Sequence, residues 1–157
     1  MKNLCALCGR KKFKHKVHKV KTQGSQRKCQ KMSENEIAKI VFDLGLKVHR
    51  MLGPGLLESS YEECMRYEIN KCGLYVEKQK ALPLIYEDVK LNIGYRIDLM
   101  VENKLIVEIK AVDALNDIHL AQILTYLKLS NCKLGLLINF NTVLFKNGVK
   151  RVINGTL

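Results

Sequence analysis

The sequence predicts an α/β domain with a mixed central sheet flanked by helices, and three observations lead there. Two helical periodicities open the body of the chain. A run of strand-like alternation follows, and a third helix then leads into a short, wholly apolar strand. The length agrees, since 157 residues is one domain's worth. With 47% apolar and 27% charged residues, the composition is that of an ordinary globular protein and excludes collagenous, mucin-like and wholly disordered chains.

Taken in order, the first helix starts at Ser33, an N-cap with Glu36 three residues on as its capping-box partner. Ile37, Ile40, Val41, Leu44, Val48, Met51 and Leu52 make one apolar stripe, and Gly53-Pro54-Gly55 ends it. A second helix is expected over 57–72, with Tyr61, Cys64, Met65, Ile69 and Cys72 inward and Gly73 at its C-terminal cap. The period then changes to two. Strands are expected at 74–79, 82–86, 90–101 and 104–112, with a turn at Glu87-Asp88. A third helix over 116–129 turns Leu120, Ile123, Leu124 and Leu127 to the core. A central strand at 133–140 follows, and 149–153 adds a short edge strand. The expected order is α-α-β-β-β-β-α-β, with that last β beyond it.

Charge divides the chain. Residues 1–31 hold eleven of the 27 Lys and Arg and none of the 15 acids, so residues 32–157 are within one charge of neutral. The basic stretch has neither helical nor strand periodicity and reads as a disordered extension. Three readings stand for it: an arm on nucleic acid; a zinc site in which Cys5-x-x-Cys8 is joined by Cys29 and by His15 or His18; and an extension the domain does not need, with the domain starting at Met32. The last is the expectation. No apolar run reaches the roughly 18 residues of a membrane span, and the basic N-terminus lacks a secretory apolar region. A cytoplasmic protein with reduced or metal-bound cysteines is therefore expected, with no membrane partner.

The chemistry concentrates in the hairpin 95–111. By alternation Arg96, Asp98 and Met100 share one face, and Tyr95, Ile97, Leu99 and Val101 the other; Ile106, Glu108 and Lys110 share a face across the turn. A three-residue loop at 102–104 would set Asp98 directly opposite Glu108, whereas a two-residue loop would separate them. Asn103 suits the longer loop because Asn tolerates positive φ. Two facing carboxylates repel, and a divalent cation such as Mg²⁺ removes the conflict. Lys110 beside them could orient a water and offset charge on a phosphoryl transition state. The plain alternative is an exposed face of ordinary ion pairs, Asp98 with Lys110 or Arg96 with Glu108. His119, Gln122 and Tyr126 line one face of the third helix. Glu58 opens the second helix, where a carboxylate suits the helix dipole and equally a metal ligand reaching over the sheet.

Gly55-x-x-Glu58-x-x-Tyr61, then Gly94-Tyr95-Arg96-Ile97-Asp98-Leu99 and Val107-Glu108-Ile109-Lys110-Ala111, resembles the GxxExxY protein family, which is grouped with the PD-(D/E)XK nuclease superfamily. The resemblance spans about 37–155 and leaves out 1–31. It implies a restriction-endonuclease-like fold with an α-β-β-β-α-β core in residues 32–157. It also implies a Mg²⁺-dependent nuclease, with Mn²⁺ as a substitute, acting on nucleic acid, DNA before RNA. Carried over by position, Glu58, Asp98, Glu108 and the backbone carbonyl of Ile109 would hold the metal, and Lys110 would orient the attacking water. Gln122-x-x-x-Tyr126 resembles the motif with which RecB-type exonucleases support the lysine and the substrate backbone, with His119 a further candidate. Ile97 stands where the motif's Pro would be. Rival readings on the same fold are a nucleic-acid-binding module that does not cut and an interaction scaffold.

Overall fold

A computed structural model describes residues 32–87 and 89–157, except the side chains of 85, 86 and 90–94. The basic arm, and with it the zinc reading on Cys5, Cys8 and Cys29, lies outside the described residues.

The elements are α1 (Glu34–Leu52), α2 (Glu58–Lys71), β1 (Val76–Tyr86), β2 (Val89–Val101), β3 (Leu105–Lys110), α3 (Asp117–Ser130), β4 (Leu134–Asn139), a 3-10 turn (Phe145–Gly148) and β5 (Val149–Ile153). The sheet runs β1-β2-β3-β4-β5. β3 and β4 are parallel, joined through α3, and the other pairs are antiparallel. Ser33 caps α1 and Glu36 closes the box, as its spacing predicts. Asn116 caps α3.

Helices cover both faces. Under α1 and α2, Ile37, Val41, Tyr61, Met65 and Ile69 pack on Leu99, Val107, Ile109, Leu136 and Ile138. Under α3, Ile123, Tyr126 and Leu127 pack on Ile97, Met100, Ile106 and Leu137. β4 is buried at all six positions, as its unbroken apolar run predicts. Gly135 lets α3 come close: a Cβ there would lie 2.8 Å from the Ile123 side chain.

Several expectations need correcting. The strands expected at 74–79 and 82–86 are one strand, β1, which absorbs its irregularities in a register shift between Leu82 and Leu84 and a positive φ at Gln79. As an edge strand it tolerates Pro83, which removes only one donor from the ladder. The α1 stripe stops early. Met51 and Leu52, in the last turn before Gly53, are exposed. On α2, Cys72 is exposed and Glu62 is buried instead. On α3, Leu120 is exposed and Tyr126 takes a core position. Ile97 joins the α3 side whereas Leu99 faces α1 and α2, so β2 changes face at Asp98. Opposite Asp98 stands Gln79, whose positive φ interrupts the ladder without shifting its register.

Candidate active site

The register of β2 on β3 decides what meets. The pairs are Leu99–Val107, Met100–Ile106 and Val101–Leu105, so the loop has three residues, Glu102 to Lys104. Asn103 takes positive φ as expected. Glu102 does too, held by a hydrogen bond from its own N–H to the Tyr75 carbonyl and one from Tyr75 N–H to its carboxylate. The ladder ends at Leu99–Val107 although both strands run on. In the fork beyond, Asp98 Oδ2 accepts the Ile109 N–H at 2.9 Å, the bond a continuing β2 backbone would have taken.

Glu108 stands on β3 in that fork and is only 2% exposed. Lys110, two residues along on the same face, donates to Glu108 Oε1 at 2.8 Å. Glu108 Oε2 is buried and has no hydrogen-bond partner. Burial first, and then the charge of Asp98, push Glu108 up from an ordinary 4.5 to about 7. Burial also raises Asp98, against the opposing pull of the Ile109 N–H. For Lys110, burial works downward, but the Glu108 bond and the charges of Glu108, Asp98 and Glu58 outweigh it and hold the ammonium above its usual range.

Each fixed residue of the Gly55, Glu58, Tyr61 segment has a local task. Gly55 takes a φ of 101°, which only glycine adopts freely. Tyr61, fully buried and stacked on Phe140 at 4.3 Å, donates to the Gly53 carbonyl at 2.6 Å and accepts from Leu56 N–H at 3.2 Å. The turn is thereby pinned to the core. Glu58, the first residue of α2, accepts the Ala111 N–H at 2.9 Å and ties α2 to the end of β3. Its charge is felt at Asp98, Glu108 and Lys110.

On the other side, Gln122 donates to the Tyr126 hydroxyl at 2.8 Å. Tyr126 is buried edge-on to Tyr95, and its hydroxyl, raised chiefly by burial, feels the charges of Glu108, Lys110 and Asp98. Neither Gln122 nor Tyr126 hydrogen-bonds to Lys110, whose ammonium is on Glu108. His119 does not join them: its Nδ1 accepts from Asn116 N–H and completes the cap of α3.

Three residues of this site were missed in the sequence. Glu62, on α2, is 6% exposed, and Gln79 bridges it to Asp98. The one available signal was the spacing of four from Glu58, which places both acids on one helical face. Asn139, at the end of β4, bonds to both Val112 N–H and Val112 carbonyl, fixing the chain just after Lys110.

Among the described residues, no three His, Cys, Asp or Glu side chains already converge as a metal cluster. The donor set nevertheless fits a hard divalent cation. It offers carboxylate oxygens, and one of them, Glu108 Oε2, is buried beside a second carboxylate and accepts no hydrogen bond from the protein.

The family model described as the PD-(D/E)XK nuclease superfamily matches residues 35–152, from the first turn of α1 into β5. No curated protein and no solved structure matches the chain. The matched span holds the α-β-β-β-α-β core, in its mixed five-stranded sheet, of a restriction-endonuclease-like fold. Among the described residues no helix is long and apolar enough to cross a membrane.

Proposed function

The chain belongs to the PD-(D/E)XK nuclease superfamily, and we propose that it is a divalent-metal-dependent nuclease. Mg²⁺ is its expected ion and Mn²⁺ a substitute; it hydrolyses phosphodiester bonds in nucleic acid, DNA before RNA. Within the superfamily we place it among the GxxExxY proteins, on Gly55, Glu58 and Tyr61. We take 32–157 as the nuclease domain and 1–31 as an extension to it. The observation that carries this reading is Glu108 Oε2, a buried carboxylate oxygen without a partner in a fork shared with Asp98.

Asp98, Glu108 and Glu58, with the backbone carbonyl of Ile109, would hold the cation. Once bound there, a cation would polarise a phosphoryl oxygen and make water a better nucleophile at neutral pH. Lys110 remains an ammonium, so its task is to donate. It would align the attacking water and offset the negative charge that gathers on the nonbridging phosphoryl oxygens in the transition state. Glu108 keeps Lys110 at the fork. Tyr126, oriented by Gln122, presents its hydroxyl toward a substrate phosphate.

A panel of single-stranded, double-stranded and branched DNA and of RNA, incubated with Mg²⁺, Mn²⁺ or EDTA, tests the reading. Cutting that needs metal and disappears in Asp98→Ala supports it and names the substrate class. Folded protein that cuts nothing turns the reading toward a binding module or a scaffold.

A further inference from the structure

Gln79 sits inside β1 with a φ of 52°, a left-handed backbone that residues with side chains rarely adopt within a strand. It lies between the pairs Lys78–Leu99 and Lys80–Ile97, across from Asp98, and the ladder skips it. A glycine would take this conformation without strain, so the side chain is the reason to look for. Its Nε2 lies 2.7 Å from Glu62 Oε1 and 3.2 Å from Asp98 Oδ1. A primary amide carries two N–H donors on one nitrogen and can serve both carboxylates at once. The opposite amide orientation would set a carbonyl oxygen against two acceptors.

We propose that Gln79 is a positioning residue for Asp98, anchored in turn by Glu62. This rests on the nuclease reading and deepens it. With the Ile109 N–H on Oδ2 and the Gln79 amide on Oδ1, the Asp98 carboxylate is held from both ends. A ligand already fixed in orientation has less rotational freedom to lose when a cation arrives. Glu62 is buried, with Lys78 Nζ 3.9 Å away as its other neighbour. Its charge anchors the amide. The left-handed residue in β1 is then the backbone's cost for aiming one amide between two acids.

The test uses the full chain and compares wild type with Gln79→Gly, whose backbone accepts the positive φ. Calorimetric Mn²⁺ binding, the melting temperature and the kinetics of cleavage are measured together. Gln79→Gly is expected to stay folded and to bind Mn²⁺ about 10-fold more weakly. Its kcat should fall by a similar factor while KM for nucleic acid holds. Glu62→Ala should act in the same direction and add little on top of Gln79→Gly, because both work through one amide. Should Gln79→Gly fail to fold, Gln79→Asn decides, since Asn tolerates the same backbone but is one methylene too short to bridge.

Unchanged Mn²⁺ affinity in the folded variant, with cleavage intact in wild type, overturns the positioning role alone. Wild type that binds Mn²⁺ but cuts nothing, with affinity still falling in Gln79→Gly, sustains the positioning role and removes the nuclease. Wild type that binds no Mn²⁺ overturns both.

Discussion

The face of the sheet under α1 and α2 and the fork between β2 and β3 share strands but treat buried polar groups in opposite ways. On the first, His49 Nε2 bonds to the Thr142 carbonyl at 2.7 Å, and the Tyr61 hydroxyl bridges Gly53 and Leu56. Phe140 stacks on Tyr61, and His49 and Phe145 pack around it. There each polar atom is an accessory to packing. In the fork, two carboxylates and an ammonium are brought inward, and one oxygen is left without a partner. An unpaired buried group of this kind costs about 1–3 kcal/mol or more when charged, so the fork weakens the fold that the other face secures. The difference teaches where to look for function: at the place the fold would be more stable without.

The largest expected effect separates the two regions outright. Glu108→Ala or Lys110→Ala should lower cleavage by about 10²–10³-fold or more, with the circular dichroism spectrum unchanged. Residual cleavage near the wild-type rate would break the comparison, because the fork would then be only a structural ion pair.

Phe140→Ala is the reciprocal change. It removes the ring stacked on Tyr61 and should cost about 3–5 kcal/mol in urea unfolding, while the fraction that remains folded still cuts. Loss of cleavage in fully folded Phe140→Ala would show that the turn carrying Glu58 depends on this packing more than the fork does.

The smaller effect concerns pH. Burial and the neighbouring Asp98 push Glu108 up to about 7 in the folded protein, from an ordinary 4.5. Between those values the folded state keeps a proton the unfolded chain has released. Stability of the metal-free protein therefore falls as pH rises through about 4.5 to 7 and levels off above. Glu108→Gln keeps the shape without the charge. It should be more stable than metal-free wild type at pH 8 by roughly 1–3 kcal/mol, and the gap should close near pH 4.5. Urea titrations at both pH values check this, and a variant less stable than wild type at pH 8 would contradict it.

The sequence made some of this legible for identifiable reasons. In the sequence the register hung on the loop length, since three residues at 102–104 put Asp98 and Glu108 on one face and two would have parted them; the structure has the three-residue loop. Ser33 and Glu36 announced the start of α1, and the unbroken apolar run of β4 announced an interior strand. The missed features depend on three-dimensional placement. The burial of Glu62 follows from how α2 docks, and Gln79 matters because β1 sets it across from Asp98 with a positive φ. The strands expected at 74–79 and 82–86 are one strand, because β1 runs through residues 80 and 81 without a break. Gln122 and Tyr126 were expected to support Lys110 or a substrate phosphate; at a spacing of four on one helix they also bond to each other. His119 looked like a site residue and serves the cap, since its position relative to Asn116 is that of a capping box.

The central claim is that the unpartnered oxygen of Glu108 is the seat of a divalent cation. Calorimetric titration of Mg²⁺ into wild type and into Glu108→Gln at pH 8 tests it most directly. A saturable isotherm is expected for wild type and is absent in the variant. The same isotherm in both proteins would contradict it.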